Sequence, residues 1–281
     1  SANNLSVFAH YPDTKFDLHA PGEESPEASG LHTIAFVMSG GEDLGLLMGR
    51  ATNPHNGFFT PKDSYPVGWT VTPELYNLAS PIYRWMHDNA SEHDMFMGAA
   101  SGGGLLYPSI WSDKKAWVED TVDGMKTVGH RIATVVDYES GYSVDNLGQL
   151  LDDDQVDAIL FSAVQSSDFE TRQMLWHNDK PIIPMRRLGF SDIRTADEVD
   201  SFVEELMGGG LNIGSLSSNG YTMIYANLAT TRLSDFQAIE DALNASGFGA
   251  FQVVRPDTLI QMVTDLVSPE ATGTEGTTGS E

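Results

Sequence analysis

The chain has 281 residues, a formal net charge of −25 from 15 Lys plus Arg against 40 Asp plus Glu, and no cysteine. A surface this acidic repels nucleic acid and anionic membranes, and the missing thiols exclude disulfides, thiolate metal sites and a cysteine nucleophile. Hydrophobic residues at 41% are enough for a sizeable core, and no apolar run approaches the roughly 18 residues of a membrane span.

Taken in chain order, apolar runs of strand length recur at residues 5–9, 33–39, 95–100, 132–136, 158–163, 181–185, 222–227 and 249–254. They do not alternate strictly with polar residues, which suits parallel strands covered on both faces. Helical patterns fall between them at 73–89, 116–128, 144–151, 169–176, 196–207, 234–244 and 258–267. Thr195 with Glu198 fits a capping box ahead of one helix, and Gly208-Gly209-Gly210 ends it. Strand and helix alternate throughout, so the fold class is α/β. Seven or eight such units predict a (β/α) barrel-like domain of mainly parallel strands, distorted or incomplete, over residues 1–267, with an open doubly wound sheet as the alternative. The tail at 268–281 is acidic and rich in Gly and Thr and reads as disordered. Long loops are expected at 11–30 and 44–67.

In either architecture a ligand site lies beyond the C-terminal ends of the strands. The run at 33–39 leads into Gly40-Gly41-Glu42-Asp43, and the run at 132–136 into Asp137. Glu42 and Asp137 are the candidate acid–base pair and Asp43 a further candidate, although each of the three also suits a cap. Arg186 and Arg187 follow the run at 181–185; Arg186 is favoured for holding a carboxylate or a sugar hydroxyl. Gln165 and Asn227 are weaker hydrogen-bonding candidates near strand ends. The run Asp152-Asp153-Asp154 with Asp157 lacks the spacing and glycine of an EF-hand and reads as a solvated turn. No zinc pattern and no Walker or dinucleotide-binding loop is present, so neither a metal nor a cofactor is expected.

The most informative stretch is Gly102-Gly103-Gly104-Leu105-Leu106-Tyr107-Pro108, directly after an apolar run. Consecutive glycines permit positive φ and let a ligand approach bare backbone. The pattern Gly-x-Gly-x-x-Tyr-Pro resembles the signature of the GxGYxYP family of putative glycoside hydrolases, with Leu105 where the family has tyrosine. Ser39-Gly40-Gly41-Glu42-Asp43 is similar to the family's Ser-Asp-Gly-Asp-Asn, with Gly40 in place of the first aspartate. Pro66-Val67-Gly68-Trp69 with Thr72-Pro73-Glu74-Leu75, Asn4-Leu5-Ser6-Val7 and Val254-Arg255-Pro256-Asp257 carry the resemblance along the chain.

The resemblance implies glycoside hydrolysis, a carbohydrate partner, and further domains of a longer chain ahead of this one. It makes Tyr107 and Trp69 candidate stacking faces for sugar, and the backbone at Gly102, Gly103 and Gly104 a ligand-facing wall. An extracellular or cell-surface setting, saline in view of the acidity, is expected. If the aspartate replaced by Gly40 is essential, the alternatives are a catalytically silent carbohydrate-binding domain or a structural domain of the cell surface.

Overall fold

The computed structural model describes residues 31–51, 65–164, 173–188, 196–208, 220–246 and 251–267. Ten strands form one sheet: β1 (His32–Ser39), β2 (Val67–Val71), β3 (Asp94–Gly98), β4 (Ile132–Asp137), β5 (Ala158–Ala163), β6 (Leu175–His177), β7 (Lys180–Pro184), β8 (Arg186–Arg187), β9 (Tyr221–Asn227) and β10 (Phe251–Val253). Their order is β6-β7-β5-β4-β3-β2-β1-β9-β8, with β10 beside the start of β1. Every pairing is parallel except β6 with β7. The expected barrel-like α/β architecture is therefore present, as a strongly curled half-barrel.

The curl has a visible consequence. β7 and β8 are separated only by Met185, yet β7 pairs with β5 and β8 pairs with β9. One short run of chain therefore serves both ends of the sheet. Met185 donates its N–H to Phe161 and Leu188 donates to Tyr225, which holds that seam on both sides.

Helices α1 (Leu44–Leu46), α2 (Glu74–Asp88), α3 (Lys114–Val128), α4 (Val144–Leu151), α5 (Ala196–Gly208), α6 (Leu233–Ala245) and α7 (Pro256–Val267) complete the fold. β1 is buried along its whole length and serves two cores. Ile34, Phe36 and Met38 pack with Phe236, Ile239 and Leu243 of α6, and the Phe36 and Phe236 rings stack 4.2 Å apart. Ala35 and Val37 join Met97, Leu160, Ile183, Met223 and Tyr225, with Leu259, Ile260 and Val263 of α7. Side chains from strands this far apart in the sheet meet only on its concave face, so the hollow of the half-barrel is filled and α7 packs against it. A third core lies between β4, β5, α3 and α4.

Two sequence expectations are corrected. The segment 169–176 was expected to be a helix, but its end, Leu175–His177, is the antiparallel strand β6. Asn178 and Asp179 both have positive φ, at 51° and 58°, and form the two-residue turn of a β6–β7 hairpin. The segment 44–67 was expected to be a long loop, but it begins with helical turns over Leu44–Ala51 and its last residue, Val67, opens the buried strand β2, whose Gly68 hides a strand signal. A Cβ there would collide with Met97 and Pro256. The expected strand at 5–9, the loop at 11–30, residues 52–64 of the loop at 44–67, Gln165 and the tail at 268–281 lie outside the described residues.

Candidate functional site at the C-terminal rim of the sheet

A run of hydrogen bonds ties the loops after β1, β2 and β3 to one another and to strand β4. Thr70 Oγ1 donates to Met38 O and accepts from Gly41 N, each at 3.1 Å. Thr72 N donates to Gly41 O at 3.0 Å, and Thr72 Oγ1 donates to Gly103 O at 3.1 Å. Ser101 N then donates to Thr134 O at 2.8 Å, and Ser101 Oγ donates to Val136 O at 3.2 Å. Glycine is required at two of these crossings. A Cβ at Gly41 would overlap the Thr70 carbonyl, and one at Gly102, where φ is +102°, would overlap Thr121 Oγ1.

Glu42 follows β1 at this rim and is half-buried. Its Oε2 is enclosed and has no hydrogen-bond partner among the described residues. Burial raises its carboxyl above the ordinary range, against the lowering effect of hydrogen bonds from its own backbone and that of Gly40; the charge of Asp43 adds to the rise. Tyr225 of β9 lies near enough to feel Glu42. Burial first, then the Glu42 charge, raises the phenol, while a hydrogen bond from Ser39 and the positive charge of Arg187 pull the other way. Arg187 Nη1 donates to Ala163 O and Val164 O, both at 3.1 Å, and so links the end of β5 to the β8–β9 side of the seam. The Tyr225 phenol therefore lies near both the Glu42 carboxyl and the Arg187 guanidinium where the sheet returns on itself.

The second part of the rim is the glycine-rich loop. Gly103 and Gly104 have room beside their Cα atoms, and the side chain of Glu74 lies next to Gly103. Tyr107 leads into a short 3-10 turn at Pro108–Ile110. Asp137, at the end of β4, is wholly buried and holds this turn from below. Its Oδ2 accepts from Ser109 N at 2.7 Å, and its Oδ1 accepts from Ser109 Oγ at 2.6 Å and Tyr138 N at 2.7 Å. Asn146 Nδ2 approaches Oδ2 at 3.4 Å, and a Cβ on Gly141 would overlap the same oxygen. The Tyr107 and Tyr138 rings stand 5.1 Å apart above it.

The structure distributes the expected residues unevenly. Glu42, the three glycines and Tyr107 lie on the rim. Asp137 also ends its strand there, but its oxygens are committed to Ser109, Tyr138 and Asn146 and are not presented to a ligand. Asp43 is the N-cap of α1 and accepts from Leu46 N at 3.0 Å. Trp69 is only 4% exposed, within the core, and its indole donates to Asp94 at the start of β3. Arg186 is buried at 8% exposure, and its neighbour Arg187 makes the seam contact. Asn227 ends β9 and caps its own turn, accepting from Ala229 N at 2.7 Å. Tyr225 and Ser39 were not anticipated, since a tyrosine inside an apolar run gives no signal of its neighbours. Among the described residues no group of three or more His, Asp and Glu is placed to hold a metal ion. A separate cleft of about 280 Å³ lies at the opposite, N-terminal end of the strands, lined by Asp94, Ile132, Asp157 and Lys180 with Arg255 and Asp257. Its arginines are paired with carboxylates, Arg131 with Asp157 and Arg255 with Asp257.

A model of the family described as GxGYxYP putative glycoside hydrolase C-terminal domain matches residues 30–264. The Asn4–Val7 resemblance falls outside that match. The structure of a putative hydrolase from Bacteroides thetaiotaomicron VPI-5482 superposes with a TM-score of 0.71 at 22% identity, covering 95% of this chain and 50% of that one. At that identity the likeness shows the fold, and this chain spans about half the length of its structural relative. No curated protein matches the chain.

Proposed function

This chain belongs to the GxGYxYP putative glycoside hydrolase family, and we propose that its C-terminal rim takes part in hydrolysing a neutral oligo- or polysaccharide, with Glu42 as the proton donor. The observation that carries this reading is the Glu42 carboxyl itself. It is half-buried, disposed to stay protonated, and has an oxygen with no hydrogen-bond partner among the described residues. A glycosidase needs such an acid to protonate the leaving oxygen as the glycosidic bond breaks. The buried Tyr225 lies near both Glu42 and Arg187 and would steady the charge that develops as the proton leaves. The backbone from Gly102 to Gly104 would form the adjoining wall. Asp137 serves in this reading as a positioning residue for the wall. Glu74, exposed beside Gly103, is the rim carboxylate proposed for the second role. Action outside the cell, in saline surroundings, belongs to the same proposal and rests on the net charge of −25.

A second reading, a carbohydrate-binding domain without turnover, is favoured by one feature. The turn at Gly40 has φ +100°, and a Cβ there would stand 3.1 Å from Leu46 and 3.2 Å from Leu228. The backbone is thus fitted to glycine where the family motif has aspartate. Release of reducing ends from xylan, β-glucan, mannan, chitin and starch by the 281-residue chain, compared with Glu42→Gln, decides between the two. Hydrolysis that falls by roughly 10²–10⁴-fold in Glu42→Gln supports the first reading. Cleavage untouched by Glu42→Gln removes Glu42 from the chemistry, and binding without cleavage establishes the second reading.

A further inference from the structure

Four of the five large apolar side chains exposed among the described residues come from one place. Leu105 is 55% exposed, Ile110 68%, Trp111 49% and Tyr138 36%. The fifth, Leu78, lies on α2. Leu105, Ile110 and Trp111 follow the glycines of the loop after β3, and Tyr138 follows β4, so the group stands on the same rim as Glu42. Chains normally avoid grouping exposed apolar residues, and such a group marks a binding surface.

The support beneath the group is unusually firm for a loop. Asp137 takes both polar groups of Ser109 and the N–H of Tyr138, so one buried carboxylate fixes both segments that carry the rings. Trp111 N donates to Pro108 O at 3.2 Å, which ties it to the same turn. Rings held in advance lose little freedom on binding. A platform of fixed aromatic faces, with bare glycine backbone alongside, suits the flat C–H faces of a sugar and its peripheral hydroxyls. The net charge of −25 disfavours an acidic occupant and leaves a neutral polyol unopposed.

We infer that Trp111 and Tyr138, with Tyr107 beside Tyr138, form a stacking platform for a neutral oligosaccharide that extends from the Glu42 end of the rim toward β4. This deepens the proposed function and rests on it for the position of the bond to be cut. β4 lies three strands from β1. At about 4.8 Å per strand the two ends are roughly 14 Å apart along the sheet. A single sugar does not cover that span; a chain of several does. The platform therefore sets a preference for chain length.

The test uses the 281-residue chain and its Trp111→Ala, Tyr138→Ala and Trp111→Phe variants, with Leu78→Ala as the control. Calorimetric titration with cellohexaose, xylohexaose, laminarihexaose, mannohexaose, chitohexaose and maltohexaose measures affinity. At least one should bind, with affinity reduced about tenfold or more by Trp111→Ala and by Tyr138→Ala. Trp111→Phe should keep most of it, and Leu78→Ala all of it. p-Nitrophenyl monoglycosides, too short to reach the platform, are assayed in parallel. Their cleavage should depend on Glu42 and ignore Trp111. Hexasaccharide binding that needs Trp111 without any cleavage would overturn the hydrolase reading and leave the platform standing. Glu42-dependent cleavage with hexasaccharide affinity indifferent to both alanine variants would overturn the platform alone. Absence of binding to all six sugars, or self-association in sedimentation that Trp111→Ala abolishes, would also overturn it.

Discussion

The carboxylate of Asp137 accepts hydrogen bonds from both the backbone N–H and the hydroxyl of Ser109, 28 residues away in sequence. Two bonds to one residue fix orientation as well as distance, and both end on a charged, fully buried acceptor. Asp137→Asn must turn an amide N–H₂ toward at least one of these donors. It should cost about 2–4 kcal/mol in urea unfolding, in the range for a buried bond to a charged group. Ser109→Ala, which keeps the backbone bond, should cost about 1 kcal/mol. An Asp137→Asn protein with an unchanged unfolding midpoint and no turnover would instead return Asp137 to the chemistry.

Glu42 gives a stability prediction separate from activity. Its folded carboxyl holds a proton more tightly than an unfolded glutamate does. Below the unfolded value, near 4.3, the protonated form is compatible with both states. As pH rises through the raised folded value, the buried group must ionise, and stability is lost. Glu42→Gln removes that loss, so the variant should melt higher than the parent at pH 7 and the gap should close toward pH 4. Each kcal/mol regained corresponds to about 2–4 °C for a chain of this size. A gap that does not change with pH would show that the site does not penalise the ionised form.

The α/β class, the mainly parallel sheet and strands β4, β5, β7, β9 and β10 were legible because buried parallel strands are continuous apolar runs. β5, at Ala158–Ala163, was legible to the residue. β2 was missed because Gly68 breaks its apolar run, whereas the glycine is there to admit Met97 and Pro256. β6 was missed because Asn178-Asp179 was not recognised as a hairpin turn. At the rim, the topology rule found Glu42 and Asp137 but could not tell an enclosed carboxyl without a hydrogen-bond partner on one oxygen from one saturated with donors. That distinction depends on Ser109 and Asn146, which no strand-end rule selects. Trp69 was taken as a ligand face on the family resemblance, and its burial beside Asp94 reflects a position in β2 that the sequence reading assigned to no element.

The acidity predicts a response to salt. With a formal charge of −25, folding gathers carboxylates that repel one another. At 1 M salt the screening length is about 3 Å, which relieves that repulsion while weakening the half-buried pair Arg255–Asp257 less than fully exposed ones. The melting temperature should therefore be higher in molar NaCl than at low salt, as differential scanning calorimetry would measure. A flat or falling trend would remove the basis of the saline setting.

His130 sets the opposite limit, at acid pH. The Tyr83 hydroxyl lies 3.0 Å from its Nε2, while Nδ1 is buried with no partner among the described residues. Burial first, and the neighbouring His87 second, push His130 down to about 3. Between the ordinary value near 6.5 and about 3, the unfolded chain takes up a proton that the folded chain refuses. The unfolded state thus binds more protons in that window, so stability falls as pH falls, by at most about 1.4 kcal/mol per pH unit from this group. His130→Gln cannot titrate. It should be less stable than the parent at pH 7.5, by about 1 kcal/mol or more for the disturbed buried bond, but lose stability less steeply between pH 6 and pH 4. Urea midpoints at pH 7.5, 6, 5 and 4 for both proteins give the comparison, and two parallel curves would show that His130 takes up its proton equally in both states.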